Sequence, residues 1–399
     1  MTMMGIKMKE RRSDCPIAYK CGGCSFCDVP YEEELAEKTD YVFNLYKDLC
    51  PVYQIKGMKA PYRYRDKVQA VFGIDRKMRI ISGLYIKGTH HLIEVRDCKL
   101  EFWEASEIMH SVRKLMKSFA MHSYDEDAHR GDIRHVLLRK AHNTEEILCV
   151  LVFGNDHFKR KKEFANALKQ MCPNLTTILY QVNNEDTSMV LSENRIYPLV
   201  GKGYIEDTLL GLKFRISAAS FYQVNSKQTE VLYDMALYMA DLKGRERVMD
   251  AYSGTGTIGL LASRHAKEVV GVELNKAAVK NAIENMEANN IHNATFIQGD
   301  ASDFCKEMAK EKEHFDCVFL DPPRAGSDEK FLSSLIRLEP DRIVYISCNP
   351  ETQRRDIDYL EKFGPYQVTA VQPVDMFPRT EHVEAVALIE RIPERYRRY

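Results

Sequence analysis

One cysteine, Cys348, follows a segment whose pattern would bring a reactive thiol to the edge of a sheet. Residues 343–346 are apolar and β-favouring, and Pro350 just beyond them ends any strand pairing. This run predicts a buried parallel strand, and open α/β sheets bind their ligands at the carboxyl ends of such strands. A thiolate there could act as a nucleophile, favoured by Arg354, Arg355 or a nearby helix start. The alternative is a thiol that only packs, because cysteine is among the most buried residue types.

A group of cysteines near the N-terminus has the spacing of metal ligands. Cys15, Cys21 and Cys24 form a Cys-x5-Cys-x2-Cys pattern, and the two glycines between the last pair let the backbone turn tightly around a bound group. Three thiolates need a fourth, for which the candidates are Cys27, Cys50 and Cys98. Four thiolates satisfy zinc as well as a 4Fe-4S cluster. The spacing therefore leaves both groups open, with unligated thiols as a third alternative.

The C-terminal half has the arrangement of a nucleotide-binding fold. Residues 247–252 form a short predicted strand that runs into the glycine-rich segment 253–259 and then a helical run. Glycines between a strand and a helix let the backbone approach a nucleotide-like ligand. The next strand ends in Glu273, whose carboxylate can accept hydrogen bonds from ribose hydroxyls. A third strand ends before Asp300, which suits either the adenine side of the ligand or a helix start. This much of the pattern also fits NAD.

A fourth predicted strand separates the two cofactors. Residues 317–320 run into Asp321-Pro322-Pro323, which places a hydrogen-bond acceptor and a rigid backbone over the reactive end of the ligand. S-adenosylmethionine methyltransferases that act on nucleobases often carry such a motif at this position. We therefore predict S-adenosylmethionine as the ligand in preference to NAD.

The middle of the chain has strand-like patterns and no legible chemistry of its own. Residues 61–67 alternate tyrosines with cations, which suits phosphate binding and base stacking, or else a solvated edge strand that uses charge to avoid self-pairing. Residues 134–152 predict two strands joined by a polar turn at 142–144, and residues 176–183 predict another. We expect an α+β domain with an antiparallel sheet that holds a large substrate.

Helical spacing is clear in two segments. Residues 31–49 carry a rough apolar stripe, and residues 217–241 contain a second helix. In the second segment Asn225 is followed three positions later by Gln228, which predicts a capping box at the helix start.

Composition restricts the class of protein. The 399 residues suggest two or three domains, and 45% hydrophobic with 29% charged residues describe a globular chain. The formal net charge is −1, yet eleven Lys/Arg stand against four Asp/Glu between Pro51 and Leu100, a local basic patch. No apolar run is long enough to cross a membrane, and the first fourteen residues carry no signal region. We expect a cytoplasmic monomer without an obligate protein partner, whose cysteines serve metal or catalysis before disulfides.

Seven motifs occur in the order typical of one family: CPIAYKCGGC with Cys98, SFYQVN, DAYSGTGTIGL, VGVE, LDPPRAG, YISCNPETQRRD and DMFPRTEHVEAV. From Cys15 to Arg391 the chain resembles the S-adenosylmethionine-dependent RNA uracil-5 methyltransferases, especially the iron–sulfur branch that modifies 23S rRNA. The resemblance implies an α/β fold with three parts. These are a cysteine-rich iron–sulfur segment at 1–60, an α+β RNA-orienting domain at 61–210, and a Rossmann-like methyltransferase domain with a mostly parallel seven-stranded sheet at 211–399.

The resemblance also implies roles for individual residues. The implied ligands of a 4Fe-4S cluster are Cys15, Cys21, Cys24 and Cys98. The implied S-adenosylmethionine contacts are Gln223, Tyr252, Glu273 and Asp321, of which Gln223 and Asp321 also lie near the target base. Cys348 takes the place of the nucleophile and Glu384 that of the base that removes a proton. Without the resemblance, Glu384 would be interpreted as a surface carboxylate that opens the last strand.

Some features depart from the family pattern. Many members that act on ribosomal RNA begin with a small RNA-binding β-barrel, whereas only fourteen residues precede Cys15 here. Transfer-RNA members also lack that barrel, but they generally lack the cluster cysteines, so we favour 23S rRNA with tRNA as the alternative. Thr257 stands where many relatives have asparagine, and Cys27 has no counterpart in the cluster motif. Rival interpretations are a methyltransferase that acts on an exocyclic nitrogen or a small molecule, and an RNA-binding assembly factor with secondary methylation.

Overall fold

The computed structural model describes residues 13, 15–86, 89 and 91–393. The predicted absence of a signal region concerns residues that, apart from Ser13, lie outside this part, as do the last six residues of the predicted C-terminal domain. Among the helices described, none has both the length and the apolar character needed to cross a bilayer.

The N-terminal segment contains a short helix, α1 (Ala18–Cys21), and a long one, α2 (Tyr31–Tyr46). The predicted helix at 31–49 is confirmed, although it ends three residues early. Its buried face packs against the C-terminal half, where the Tyr46 hydroxyl donates to the carbonyl of Pro350 at 3.0 Å and lies 2.9 Å from Oε1 of Gln353. The helix therefore joins the C-terminal core, far along the chain from its own position.

A seven-stranded sheet forms the middle of the molecule. In chain order its elements are β1 (Lys67–Ile74), β2 (Ile80–Tyr85), β3 (Leu92–Glu94), α3 (Trp103–Ser118), β4 (Ile133–Lys140), β5 (Ile147–Phe153), α4 (Lys161–Met171), β6 (Leu175–Val182) and β7 (Tyr197–Val200). The strand order is β3-β2-β1-β4-β5-β6-β7. Helices α3 and α4 cover one face through a shared apolar cluster. The expected antiparallel pairing is wrong for β5 and β6, which run parallel because α4 returns the chain to the same end of the sheet.

A hairpin and a helix connect the two sheets. The hairpin consists of β8 (Tyr204–Leu209) and β9 (Leu212–Ser217), and α5 (Ser226–Ala240) follows it. The Asn225 side chain caps α5 by accepting from the amide of Gln228 at 3.2 Å, as predicted. The predicted return contact from the Gln228 side chain to Asn225 is wrong. The Gln228 side chain binds elsewhere, with Nε2 donating to the carbonyls of Lys56 and Asp375. The helix start is thus fixed by contacts with distant parts of the chain.

The C-terminal half contains the predicted Rossmann-like sheet. Its elements are β10 (Arg247–Asp250), α6 (Thr257–Ala262), β11 (Glu268–Glu273), α7 (Lys276–Ala288), β12 (Ala294–Gln298), α8 (Ala301–Glu311), β13 (Cys317–Leu320), α9 (Glu329–Leu338), β14 (Arg342–Ser347), α10 (Pro350–Phe363), β15 (Tyr366–Val374) and β16 (Glu384–Arg391). The strand order β12-β11-β10-β13-β14-β16-β15 confirms the mostly parallel seven-stranded sheet, with β16 alone antiparallel to both its neighbours. The chain reverses direction across the sheet between β10 and β13. Open α/β sheets bind ligands at such a switch point.

Candidate active site

The carboxyl ends of the parallel strands bring the predicted site residues to one crevice. Asp321 follows β13, Cys348 follows β14, and the glycine-rich segment 251–256 follows β10. Glu273 is the last residue of β11, on the far side of that segment. Because these strands run parallel, all four features lie at the same edge of the sheet.

Cys348 and Glu384 lie opposite each other where β14 and β16 meet. The last antiparallel pair of this ladder joins Ser347 to Ala385, so the next residue on each strand faces the other. Side chains that face each other in this way have Cβ atoms roughly 4.5–5.5 Å apart. Glu384 is only 3% exposed, whereas Cys348 is half-buried at the mouth of the crevice. The interpretation of Glu384 as a surface carboxylate is therefore wrong, although it does open the last strand.

The acids in this crevice have strongly shifted protonation equilibria. Burial, with a smaller contribution from Asp321, raises the pKa of Glu384 to about 8. Burial also raises the pKa of Asp321 to about 7. The pKa of the Cys348 thiol is raised mainly by burial and then by the two carboxylates, while Arg324 lowers it. The geometry therefore brings a thiol together with two carboxyl groups. The two carboxyl groups can exchange protons near neutral pH.

Arg354 and Arg355 were predicted to favour the thiolate, and the structure directs both elsewhere. Arg354 binds Asp48 at 3.0 Å and Asp358 at 2.8 Å, while Arg355 binds the carboxylate of Asp356 at 2.7 Å. The acidic partners of these arginines lie on α10 itself and in the loop after α2. The cation that lowers the thiol pKa is Arg324, in the Asp-Pro-Pro-Arg motif. From the sequence, only Asp321 of this motif was predicted to have a role.

Gln223 is held in the crevice by the middle sheet. Asp66, at the start of β1, donates its amide to the carbonyl of Val224 at 2.7 Å, and its carboxylate accepts from the amide and hydroxyl of Ser226. Nη2 of Arg139 on β4 donates to the carbonyl of Ser220 at 2.6 Å. The segment that carries Gln223 is thus anchored at both ends to the middle sheet.

A buried tyrosine that sequence reasoning missed joins this group. Tyr233 on α5 is 4% exposed, and its hydroxyl forms a hydrogen bond with the Gln223 side chain. Burial raises the pKa of this hydroxyl, and the nearby carboxylates of Asp321 and Glu384 raise it further. Tyr233 therefore connects Gln223 to the two acids. Its position on the apolar face of α5 could only suggest a core residue.

The glycine-rich segment forms a cradle beside Glu273. Gly254 donates its amide to the Glu273 carboxylate at 3.0 Å and has φ of +52°, and a Cβ added there would meet no atom within 4 Å. Gly256 has φ of +82°, and its Cβ would lie 2.8 Å from the ring of Phe296. One glycine therefore leaves space open to the crevice, and the other lets the backbone pack against β12.

Buried polar atoms without a hydrogen-bond partner line the same cradle, and they bear on whether a nucleoside fits there. Oδ1 of Asp250 and Oγ of Ser253 are buried without a hydrogen-bond partner among the described residues. Burial raises the pKa of Asp250 to about 7. Tyr252 packs on the ring of Phe331, with centroids 5.2 Å apart, and its hydroxyl donates to Ser327. Buried polar groups normally have partners, so these atoms and the space beside Gly254 fit a ligand with hydroxyl and amine groups.

Two other positions from the sequence have local roles. Asp300 caps α8 by accepting from the amides of Ser302 and Asp303, each at 3.0 Å, so its contacts match the helix-start alternative. Thr257 begins α6, and its hydroxyl lies 3.4 Å from that of Thr255.

Five cysteines line a cavity of about 240 Å³ that also contacts Leu84 on β2 and Val95 just after β3. They are Cys15, Cys21, Cys24, Cys27 and Cys98. Burial and the four neighbouring thiols raise the pKa of Cys24 to about 12. Within the described residues, the group whose ligand atoms all lie within 4.8 Å of one another is His314, Asp316 and Asp341, and the cysteines do not form one. The cavity and its five thiols therefore have the donor atoms to hold a thiolate-bound metal or cluster.

The cysteine segment also holds the loop that leads to Glu384. Arg379 in this loop has φ of +72°, and its Nη1 donates to the carbonyl of Val29 at 2.7 Å. Its amide donates to buried Glu34 at 2.7 Å. The Tyr64 hydroxyl donates to the carbonyl of Pro378 at 2.9 Å. Val29, Glu34 and Tyr64 therefore hold the loop.

The interpretation of residues 61–67 changes in two respects. The alternative of an edge strand is wrong for β1, because β2 and β4 pair with it on either side. Tyr64 is 4% exposed, so its ring offers no face to a base, whereas Tyr62 lies under Arg379 but remains 41% exposed. Arg65 and Lys67 retain the cationic character that the pattern predicted.

Comparison with known proteins places these features in a family. Residues 162–392 match the model of a family described as tRNA (Uracil-5-)-methyltransferase. An uncharacterized RNA methyltransferase of Halalkalibacterium halodurans is 38% identical over 395 residues, which span 98% of this chain and 86% of the relative. One from Staphylococcus epidermidis is 38% identical over 396 residues, with the same shares.

A solved structure has the same fold over most of the chain. It is the Pyrococcus abyssi tRNA (uracil-54, C5)-methyltransferase in complex with S-adenosyl-L-homocysteine. The TM-score is 0.76 at 24% identity, over 92% of this chain and 85% of the other. This similarity confirms the predicted α/β architecture.

Proposed function

The chain belongs to the tRNA (Uracil-5-)-methyltransferase family and is an RNA methyltransferase, and on this premise we propose that it methylates carbon 5 of a specific uridine in RNA. The observation that carries the proposal is the half-buried Cys348 thiol opposite the buried Glu384 carboxyl, with Asp321 beside both. Methylation of an exocyclic nitrogen would need neither the thiol nor the facing base.

Cys348 has the role of nucleophile in this proposal. Carbon 5 of uracil is too weak a nucleophile to attack a methyl group directly. A thiolate that adds to carbon 6 forms the C–S bond and moves the ring electrons toward carbon 5 and the neighbouring carbonyl oxygen. The thiol gives its proton to solvent at the mouth of the crevice before this addition, and Arg324 favours the thiolate by lowering the thiol pKa. Gln223 and Asp321 would hydrogen-bond the base and stabilise the enolate.

Glu384 has the role of the base that completes the reaction. After methyl transfer, carbon 5 carries one proton more than the product can keep. The Glu384 carboxylate removes that proton, the ring double bond re-forms, and the bond from carbon 6 to sulfur breaks. A pKa of about 8 leaves a fraction of this carboxyl ionised near neutral pH and makes that carboxylate a stronger base than an ordinary one. Without the step, the enzyme would stay attached to its RNA.

S-adenosylmethionine would supply the electrophilic methyl group when bound. Its binding is supported by the open cradle at Gly254, the carboxylate of Glu273 and the unpartnered atoms of Asp250 and Ser253. Tyr252 lines the same crevice, and Asp321 lies between it and the thiol. The Pyrococcus abyssi protein of similar fold holds S-adenosyl-L-homocysteine, the product of this donor.

For the cysteine cavity we propose a 4Fe-4S cluster held by Cys15, Cys21, Cys24 and Cys98. The five thiols and the cavity of about 240 Å³ support a cluster, and so does the order of the cysteines in the sequence. Cys50 lies away from this cavity, close to Glu361. The cluster would tie the N-terminal segment to the loop before Glu384.

The proposed substrate is 23S rRNA, and tRNA is the second candidate. The cysteine cavity supports the first, because the sequence resembles the iron–sulfur branch. The name of the family and the tRNA substrate of the Pyrococcus abyssi protein favour the second. The discriminating experiment is mass mapping of 5-methyluridine in both RNAs from a strain that lacks the gene. Loss of a modified site in 23S rRNA supports the assignment, and loss in tRNA alone overturns it. If neither RNA changes, carbon-5 methylation of uridine in these RNAs is refuted.

A further inference from the structure

Two cations lie side by side on neighbouring strands of the middle sheet. Lys67 on β1 and Arg139 on β4 are direct partners in an antiparallel pair, so their side chains share one face of the sheet. Arg139 is only 5% exposed, and Lys67 is half-buried. Like charges directly opposite each other destabilise a strand pair, and partial burial strengthens the repulsion. Such a pair needs a compensating negative charge.

The protein does not provide that charge. Neither side chain forms an ion pair with a described carboxylate, and Nε of Arg139 is buried without a partner. Burial, followed by the fields of Arg139 and Arg65, lowers the pKa of Lys67 to about 8. Burial lowers the pKa of Arg139 to about 10. No carboxylate contributes to either shift.

Cations close by in the chain are treated differently. Arg63 pairs with Asp97 at 2.7 Å, and Lys140, the neighbour of Arg139, binds Glu104 at 3.0 Å. Acids are therefore within reach of this part of the sheet, and the chain places them on other cations. Lys67 and Arg139 therefore differ from these cations, because neither forms an ion pair within the described residues.

This face adjoins the part of the crevice that carries Gln223. Arg139 donates to the carbonyl of Ser220, just before Gln223, and Asp66, next to Lys67, binds Val224 just after it. A nucleotide that reaches Gln223 would bring its backbone close to the two cations. A uridine taken out of folded RNA needs such backbone contacts to offset the lost stacking.

We propose that Lys67 and Arg139 bind a phosphate of the RNA backbone beside the target nucleotide. The identity of that nucleotide rests on the proposed function, whereas the anion site rests on the cation pair alone. The guanidinium and the ammonium supply two positive charges, and each has N–H groups that can donate to phosphate oxygens. The bound phosphate removes the repulsion that the free protein carries.

The test uses Lys67→Glu, which places a carboxylate opposite Arg139. Because this exchanges repulsion for attraction, the melting temperature rises, while the affinity for RNA falls roughly tenfold. A fluorescein-labelled oligouridylate is the probe, with binding followed by anisotropy from 50 to 200 mM KCl. The slope of log Kd against log salt decreases by about 1. Opposite changes in stability and affinity distinguish an anion site from a structural role, which would lower both.

Two controls sharpen the result. Lys280→Glu makes the same charge change on the exposed face of α7, and it leaves affinity within about twofold of wild type. Lys67→Met removes the cation without adding an acid, and it weakens binding several-fold. An oligouridylate with neutral methylphosphonate linkages shows no difference between wild type and Lys67→Glu.

The inference is overturned if Lys67→Glu binds the charged oligomer as tightly as wild type, or if its melting temperature falls along with its affinity. Methylation of saturating RNA by Lys67→Glu at a near-normal kcat with raised KM supports it. If the wild-type protein binds the oligomer but methylates no uridine in 23S rRNA or tRNA, the proposed function fails and the phosphate site remains.

Discussion

The crevice around Cys348 and the cysteine cavity both contain half-buried thiols, but their neighbours differ. Cys348 faces the carboxyl groups of Glu384 and Asp321, and Arg324 adds a positive charge. Cys24 is surrounded by other thiols, which add to the effect of burial in raising its pKa. Acids beside a single thiol suit proton transfer, whereas several thiols gathered in one cavity suit a metal that holds them as thiolates. The surroundings, and not the residue type, distinguish a nucleophile from a ligand.

The two regions are connected by the loop that holds Arg379. Its backbone and side chain bind residues of the cysteine segment, and Glu384 follows five positions later. The cysteine segment therefore contacts the loop that leads to Glu384.

The largest expected effect comes from removal of the crevice thiol. Cys348→Ala should lower methyl transfer by roughly 10⁴-fold or more, because no other group can add to carbon 6. It should also fail to form a covalent complex with RNA that contains 5-fluorouridine. Radiolabelled methyl incorporation and denaturing gels measure the two effects. Cys50→Ala, outside both regions, is the matched control, and residual turnover near wild type in Cys348→Ala would refute the nucleophile.

Loss of the facing base should stop the reaction at a later step. Glu384→Gln keeps the shape of the side chain but cannot accept the proton on carbon 5, so a methylated protein–RNA adduct should accumulate. Intact mass spectrometry of the trapped complex detects it. Multiple turnover without an adduct would contradict the role of Glu384, whereas Glu311→Gln on exposed α8 should behave as wild type.

A matched pair of substitutions tests the cysteine cavity. Cys98→Ser should lose most of the bound iron and sulfide and the visible absorbance, because one cluster ligand is removed. Cys27→Ser should retain them, because Cys27 lies in the cavity but outside the proposed ligand set. Anaerobic purification followed by iron and sulfide analysis measures both. Equal losses in the two variants would show that Cys27 is a ligand, and zinc in place of iron would refute the cluster.

The smallest effect concerns stability against pH. Folding raises the pKa of Glu384 from 4.5 to about 8, so between these values the folded protein holds a proton that the unfolded chain has lost. Its contribution to stability is thus present below pH 4.5 and is lost as the pH rises toward 8. Glu384→Gln should show a smaller fall in melting temperature than wild type from pH 5.5 to pH 8. Parallel curves for the two proteins would show that Glu384 does not titrate in this range.

Local patterns in the sequence predicted much of the C-terminal half. The strand before Cys348, the glycine-rich turn after β10 and the carboxylates that end β11 and follow β13 each depend on a short run of residues. Strand propensity, glycine and proline act over a few positions, so such elements can be recognised before the fold is known. The parallel order of the strands then brings their ends together.

Other features depended on contacts between distant segments, and only the tertiary structure decided them. Glu384 looks like the exposed first residue of a strand until β14 and β15 pair with it and bury it. Arg324, and not Arg354 or Arg355, became the cation beside the thiol, because helix direction and distant acids decide where each arginine points. Lys67 and Arg139 face each other only through the register of β1 and β4. A sequence determines which faces of its own helices and strands are apolar, but pairing across the fold determines which charges meet, and burial then sets their pKa values.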